Sequence, residues 1–450
     1  MIEPAAARGT ESGDETLADP HPVTHARRAF AVELVPPGSK SETNRMYALA
    51  ALADGTSRIV RPLRARDPDL FLDALCAAGA DAAWEGESVL VRGTRGTPAG
   101  GCRVHLGDGG APARFMLAVG ALSRAPLLVD GSARLRERPV SEGVELLRAA
   151  GAHVRYVEAE GRLPIEVGGS GEVRGGTVEA ARTASSQFLS ALLLMAPWTR
   201  QGIDLIMRDA PTSASYVELT IDTMRRFGVP VSAERDALGR LSRVRVDPHR
   251  AVGADVAVEP DASSAVYFLA AAAAIRDARA TIRGLPRTSR QPDTACVAAL
   301  VAMGAREITV PGGIGIEGTD QLRGIDLDGS RWPDGALSVC AISALARGAT
   351  RIRGLETLRV KESNRVLALA TELAKFGCAV STTESTIMVE PSGMHGRPVT
   401  VDSHGDHRVA MSFAALGVAR PGVAVMDPSC VSKSYPGFWS DLRALCGAGI

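Results

Sequence analysis

Aromatic residues are scarce in this 450-residue chain: Phe, Trp and Tyr together make up 4%. An interior with few large rings has to be aliphatic, and abundant Ala and Gly point to tight helix–sheet packing. A surplus of charge is also lacking. Lys plus Arg number 51 and Asp plus Glu number 51, for a formal net charge of zero. That balance, with no long basic run, argues against nucleic acid as the main partner. Long hydrophobic runs are absent too; the most apolar segment, Leu189 to Trp198, is too short to span a membrane. No C-x-x-C pair occurs among Cys76, Cys102, Cys296, Cys340, Cys378, Cys430 and Cys446. Their mostly apolar contexts are those of buried free thiols in a reducing cytoplasm. The N-terminal stretch carries Pro, Glu and Asp and no apolar h-region, so it reads neither as a secretory signal nor as a transit peptide. Residues 1–30 are expected to form a disordered tail outside the fold.

What is present is a repeat. An amphipathic helix end, then Gly, then a small or β-branched strand start recurs around Gly79, Gly151, Gly228, Gly304, Gly377 and Gly447. The steps are about 70 to 77 residues, a fixed period that marks a repeat architecture. Each Gly stands where a helix C-terminus needs a positive φ. Strand-like stretches such as Ser88–Arg92, Ser242–Val246, Ile308–Val310 and Ile387–Glu390 lie between the helices. The units therefore read as α/β modules. A chain of this length splits into two domains, three units each, with the Gly/Ala/Asp-rich stretch Ala251–Asp261 as the crossing.

Cations recur in short Gly/Ser-bearing segments: Pro37-Gly-Ser-Lys-Ser-Glu-Thr-Asn-Arg45, Arg134 to Pro139, Val360-Lys-Glu-Ser-Asn-Arg365, Gly405-Asp-His-Arg408 and Ser432-Lys-Ser434. Held on separate loops around one cleft, they suit a small substrate with several negative groups. Pro37–Arg45 leads from a strand into a helix, whose N-terminus favours an anion. It mimics part of a nucleotide P-loop, but Glu33 stands where the upstream Gly belongs. Gly107–Arg114 is a second Gly-rich turn before an apolar helix. Thr183–Gln187 either caps a helix or binds an oxygen-rich ligand. Lys361 and Arg365 are spaced to share a helical face, where they repel unless an anion sits between them. His404 and His407 have H-x-x-H spacing, yet Arg408 beside them disfavours a metal.

Together these motifs resemble the 5-enolpyruvylshikimate-3-phosphate synthase (3-phosphoshikimate 1-carboxyvinyltransferase) family, from about residue 31 onward. The resemblance rests on Pro37–Arg45, Arg134–Pro139, Ser185–Leu193, Asp261–Ala273, Val360–Arg365, Gly405–Met411 and Ser432–Phe438. It implies a two-domain inside-out α/β barrel built of six βαβαββ units. One domain would span residues 39–256, the other 31–38 with 257–450, and the active site would lie in the cleft. It implies transfer of the enolpyruvyl group of phosphoenolpyruvate to the 5-hydroxyl of shikimate 3-phosphate, with domain closure. It implies no metal, no cofactor and a monomer.

By the same resemblance Lys40, Gly110, Arg134, Gln187, Arg365, Arg408 and Lys433 hold phosphoenolpyruvate. Ser41, Arg45, Ser185, Ser186, Gln187, Ser213, Tyr216, Asp334 and Lys361 hold shikimate 3-phosphate. Asp334, Glu362 and Lys40 are the catalytic candidates, with Asp334 as base and Glu362 as the acid at the methylene carbon. Two departures stand out: Gly110-Ala111-Pro112 replaces the usual Gly-Thr-Ala of the loop that lines the phosphoenolpyruvate and glyphosate pocket, and Thr357 replaces an Asn. A sister reaction on UDP-N-acetylglucosamine calls for a Lys-Asn signature, whereas Lys40 is followed by Ser41. A binding-only relative would have lost cations or carboxylates, and none of Lys40, Arg134, Asp334, Glu362, Arg365, Arg408 and Lys433 is lost.

Overall fold

The computed structural model describes residues 17–393 and 396–447. Six small sheets account for the strands among them. Five have four strands in one pattern: the first two parallel, the third and fourth each antiparallel to its neighbour. The sixth has three strands, and its third member is His21–Pro22, which runs antiparallel to Val423–Val425. The tail expected over residues 1–30 is thus corrected for residues 17–30; residues 1–16 lie outside the described ones. His21–Pro22 completes the last sheet, and Val23, Ala26 and Phe30 are buried in the core beneath it. Composition misled here because the acidic stretch ahead of residue 17 masked a short apolar one.

Five repeat glycines turn the chain from helix to strand with φ between 72° and 116°. Gly447 differs: it sits inside the terminal helix Phe438–Gly447. The strand expected at Ile308–Val310 is displaced to Arg306–Glu307 and Gly313–Glu317.

Each half contains three inner helices that are buried along almost their whole length. In one half they are Lys40–Leu52, Gly110–Ala121 and Ser186–Met195; in the other, Ala262–Ala273, Pro333–Ile342 and His407–Ala419. Outer helices such as Arg66–Ala77 and Ala214–Arg226 are amphipathic and close the layer. Two separate hydrophobic cores result, one drawn from Met46 to Val258 and one from Val23–Phe30 with Ala262–Leu445.

The chain passes between the halves twice. Ala31–Leu34 pairs with Arg279–Arg283, whereas Asp255–Ala257 pairs with Thr56–Val60, so each half borrows its opening strand from the other's stretch of sequence. The two crossings run side by side. Ser39 donates its N–H to Glu259 O at 2.8 Å, and Asp261 donates to Pro37 O at 2.8 Å.

Candidate active site

All six inner helices point their N-termini at the gap between the halves. The first turns of five of them supply lining residues of one cavity: Lys40 and Ser41, Gly110, Ser186, Asp334 and Arg408. The sixth begins at Asp261, whose Oδ2 accepts the Lys40 N–H at 3.1 Å. An N-terminus presents unpaired N–H groups and a partial positive charge, so five aimed at one space make it a site for anions. The enclosed space is about 70 Å³.

The C-terminal half contributes an ion network. Arg365, 1% exposed, donates to Asp334 Oδ1 at 2.8 Å, to Glu362 Oε2 at 2.9 Å and to Asp406 Oδ2 at 2.7 Å. Asp334 also faces Arg408 at 3.3 Å and Lys361 at 3.9 Å, and Tyr216 donates to it at 3.4 Å. Lys361 and Arg365 do not share a helical face as expected, because the helix starts only at Arg365, capped by Asn364. They converge nonetheless, and the anion between them is the protein's own Asp334. Burial alone would raise Asp334, but Arg408, Lys361 and Arg365 outweigh it and hold the carboxyl far below its ordinary range. Glu362 is likewise pushed up by burial and held well below the ordinary range by Arg365, Lys433 and Arg138.

The N-terminal half contributes hydroxyls and cations. Lys40 Nζ reaches Asp67 at 3.4 Å, and burial lowers its ammonium against the pull of that carboxylate. Arg45 is fixed by Thr220 Oγ1 at 2.8 Å, Ser41 O at 2.8 Å and Tyr216 O at 3.0 Å. Ser185 caps its helix through Gln187 N–H at 3.3 Å and also lines the cavity, so capping leaves it within reach of a ligand there. Gln187 Oε1 and Asn44 Oδ1 are buried at the cavity without a partner. Ser213, at φ 50°, stands in an adjoining recess with Ser185, Ser186, Lys361 and Thr357, whose Oγ1 is also unpartnered. Lys433 reaches in from the other half to Asp108 O at 3.3 Å and Glu362 Oε1 at 3.5 Å.

Three expected residues are not among those that line the cavity: Ser213, Lys433 and Arg134. The Arg134 side chain is half exposed, pairs with Glu137 at 2.6 Å and donates to Glu362 O at 2.7 Å; it does not line the cavity. Arg138 does, 8% exposed, beside Gly110. Four residues apart, the two would share a face of a continuous helix. The helix Ala133–Arg136 stops between them, and Arg138 turns inward. A side chain on Gly110 would strike the Arg138 guanidinium at 2.4 Å, so the glycine is needed for close approach. Asp67, Asn44, Asp261 and Asp406 were not among the expected residues. Asn44, Asp261 and Asp406 lie within the motifs, and Asp261 and Asp406 carried a signal as helix N-caps.

A neutral chain that gathers cations, helix N-termini and two carboxylates into one interdomain cavity is an enzyme for small, multiply anionic substrates. Comparison with known proteins narrows the class. The profile of the family described as EPSP synthase (3-phosphoshikimate 1-carboxyvinyltransferase) matches residues 25–442. The 3-phosphoshikimate 1-carboxyvinyltransferase of Methanoculleus marisnigri is 40% identical over 92% of this chain and 96% of its own. That of Methanosphaerula palustris is 40% identical over 96% and 99%. The solved EPSP synthase of Acinetobacter baumannii superposes with a TM-score of 0.77 at 25% identity, covering 95% of this chain and 98% of its own. The chain belongs to the EPSP synthase family.

Proposed function

We propose that the chain transfers the enolpyruvyl group of phosphoenolpyruvate to the 5-hydroxyl of shikimate 3-phosphate and releases phosphate. The observation that carries this reading is the convergence of five inner-helix N-termini with Lys40, Arg45, Arg138, Lys361, Arg365 and Arg408 on one enclosed cavity. Two phosphates and a carboxylate need that much positive charge.

The reaction has two stages. The 5-hydroxyl oxygen bonds to C2 of phosphoenolpyruvate, losing its proton to a base while an acid delivers a proton to the methylene carbon. A proton then leaves the new methyl group, the C–O bond to phosphate breaks and the C=C bond is restored, now as the enol ether of the product. Lys40, Gly110, Arg138, Gln187, Arg365, Arg408 and Lys433 hold phosphoenolpyruvate in this reading. Ser41, Arg45, Ser185, Ser186, Ser213, Tyr216 and Lys361 hold shikimate 3-phosphate. Asp334 is too acidic, between Arg408, Lys361 and Arg365, to carry a proton well; its part is to fix ligand hydroxyls. Glu362 is ionised while its neighbours Arg365, Lys433 and Arg138 are unsatisfied. Substrate anions that neutralise those cations raise it into the range of a general acid. Lys40, lowered by burial, is the second proton carrier. Fixing both substrates in register supplies up to about 7–11 kcal/mol of the barrier. The cations supply the charge, so the reading calls on no metal or cofactor. Both halves of the site come from one chain, which supports a monomer as the working unit. The balanced charge of the chain argues against nucleic acid as a partner, no helix among the described residues is long and apolar enough to cross a membrane, and the thiols and substrates fit a cytoplasmic enzyme.

The test is phosphate release from the purified protein, without added metal. Release that requires both substrates and collapses in Glu362→Gln is expected. Release with UDP-N-acetylglucosamine in place of shikimate 3-phosphate would reassign the acceptor.

A further inference from the structure

Outside the cavity mouth lies an open recess of about 430 Å³ that the reaction does not use. Arg134, Glu137, Arg138 and Arg162 line it from one half, Arg359 and Lys361 from the other. Five cations thus face one carboxylate, and Arg134 already occupies Glu137 at 2.6 Å. Arg162 donates to Glu137 O at 3.3 Å, and Arg359 donates to Glu384 O at 2.8 Å and to Thr383 O. Among the described residues neither Arg162 nor Arg359 forms an ion pair. Arg138 is more than nine-tenths buried, and its Nε has no partner. Arg138 and Lys361 also line the inner cavity, so the recess and the cavity share these two cations.

Cations left without carboxylates across a narrow gap raise the local potential and concentrate anions there. Arginine adds planar donor pairs that match tetrahedral oxyanions better than monovalent halides. We infer that this recess is a second anion site, an antechamber that takes a phosphate dianion, free or as a phosphomonoester. The inference rests on the reading that phosphorylated anions enter and leave the inner cavity. Because Arg162 and Arg359 sit on opposite halves, an anion between them also favours the closed arrangement.

The test uses the whole chain and the double variant Arg162→Gln/Arg359→Gln. Both side chains bond only to backbone carbonyls at the surface, and a thermal melt within about 2 °C of the parent checks folding. Titration with inorganic phosphate, followed by calorimetry, is expected to show two classes of site in the parent and loss of one in the variant. Under turnover at low ionic strength, kcat/KM for shikimate 3-phosphate is expected to fall about five- to tenfold with kcat within twofold, as loss of electrostatic steering predicts. The gap should close at about 0.5 M salt. A phosphate effect alone assigns the recess to the departing product; a kcat/KM effect alone assigns it to the incoming monoester. Identical phosphate binding together with identical kcat/KM overturns the inference. The phosphate titration needs no turnover, so a parent inactive toward both substrates would defeat the proposed function and leave this arm decisive.

Discussion

The two halves repeat one fold but finish their inner helices differently. In the N-terminal half the caps are Ser39, Gly109 and Ser185, small and uncharged, so those N-termini stay open to a ligand's negative charge. In the C-terminal half Asp261 and Asp406 cap two of the helices, and the third, capped by Trp332, carries Asp334 in its first turn. There the protein supplies its own anions, and Asp334 and Asp406 fix Arg365 and Arg408. One half presents helix N-termini and hydroxyls beside Lys40, Arg45 and Arg138. The other presents cations prepositioned by buried carboxylates. The first kind of site is mild and adaptable; the second is strong, rigid and costly to disturb.

The largest expected effect follows from that rigidity. Arg365→Ala removes the partner shared by three buried carboxylates, Asp334, Glu362 and Asp406, and removing one partner of a buried pair costs about 3–5 kcal/mol. The urea midpoint should fall by that equivalent, and turnover should be lost. A variant as stable as the parent would show that the network carries no structural weight and would dissolve the contrast between the halves.

Next in size is the exchange of Arg134 for Arg138. Arg138→Gln removes a cation that lines the cavity, and a lost donor of this kind costs about 100- to 1,000-fold in turnover. Arg134→Gln removes a half-exposed pair with Glu137 and one bond across the cleft to Glu362 O, and kcat/KM should fall by less than about tenfold. Steady-state kinetics on both variants decide the point, and the reverse ranking would restore Arg134 to the site.

These results also measure how far the sequence could be read. The repeat was visible because a positive φ at a helix end all but demands glycine, and Gly79, Gly151, Gly228, Gly304 and Gly377 meet that demand. The motifs located the site because helix N-termini carry compact signatures of Gly, Ser and cation. The choice of Arg138 over Arg134 was hidden, since it depends on where a four-residue helix stops. The role of residues 17–30 was hidden as well, because the pairing of His21 with Val425 spans nearly the whole chain and leaves no local pattern.

A smaller effect is expected at the crossing between the halves. Glu42 is 2% exposed; its Oε2 accepts the Glu259 N–H at 2.9 Å, and Arg226 lies 3.3 Å from its Oε1. Burial pushes its carboxyl up to about 7 against the pull of Arg226, with Glu259 and Asp222 adding to the rise. Its folded value therefore lies above its unfolded one. Below about pH 4.5 both states are protonated and nothing is lost. Between there and pH 7 the unfolded state ionises first, so stability falls as pH rises. Glu42→Gln should flatten that slope, as denaturation at pH 5, 6, 7 and 8 would show. Parallel profiles for variant and parent would place the Glu42 carboxyl in its ordinary range.

The smallest effect sharpens the comparison of the caps. Ser39 Oγ accepts the Glu42 N–H at 3.4 Å, a long bond, so Ser39→Ala should cost about 0.5 kcal/mol, the lower end for loss of a cap. Asp406 occupies the matching place before His407–Ala419, yet its carboxylate accepts the Arg408 N–H at 2.9 Å and also holds Arg365 and Ser363. Asp406→Ala removes a cap and strands a buried guanidinium, so its cost should exceed that of Ser39→Ala several-fold in the same urea titration. Equal costs would mean that the carboxylates of the C-terminal half act as ordinary caps, and that the cations beside them are held by packing alone.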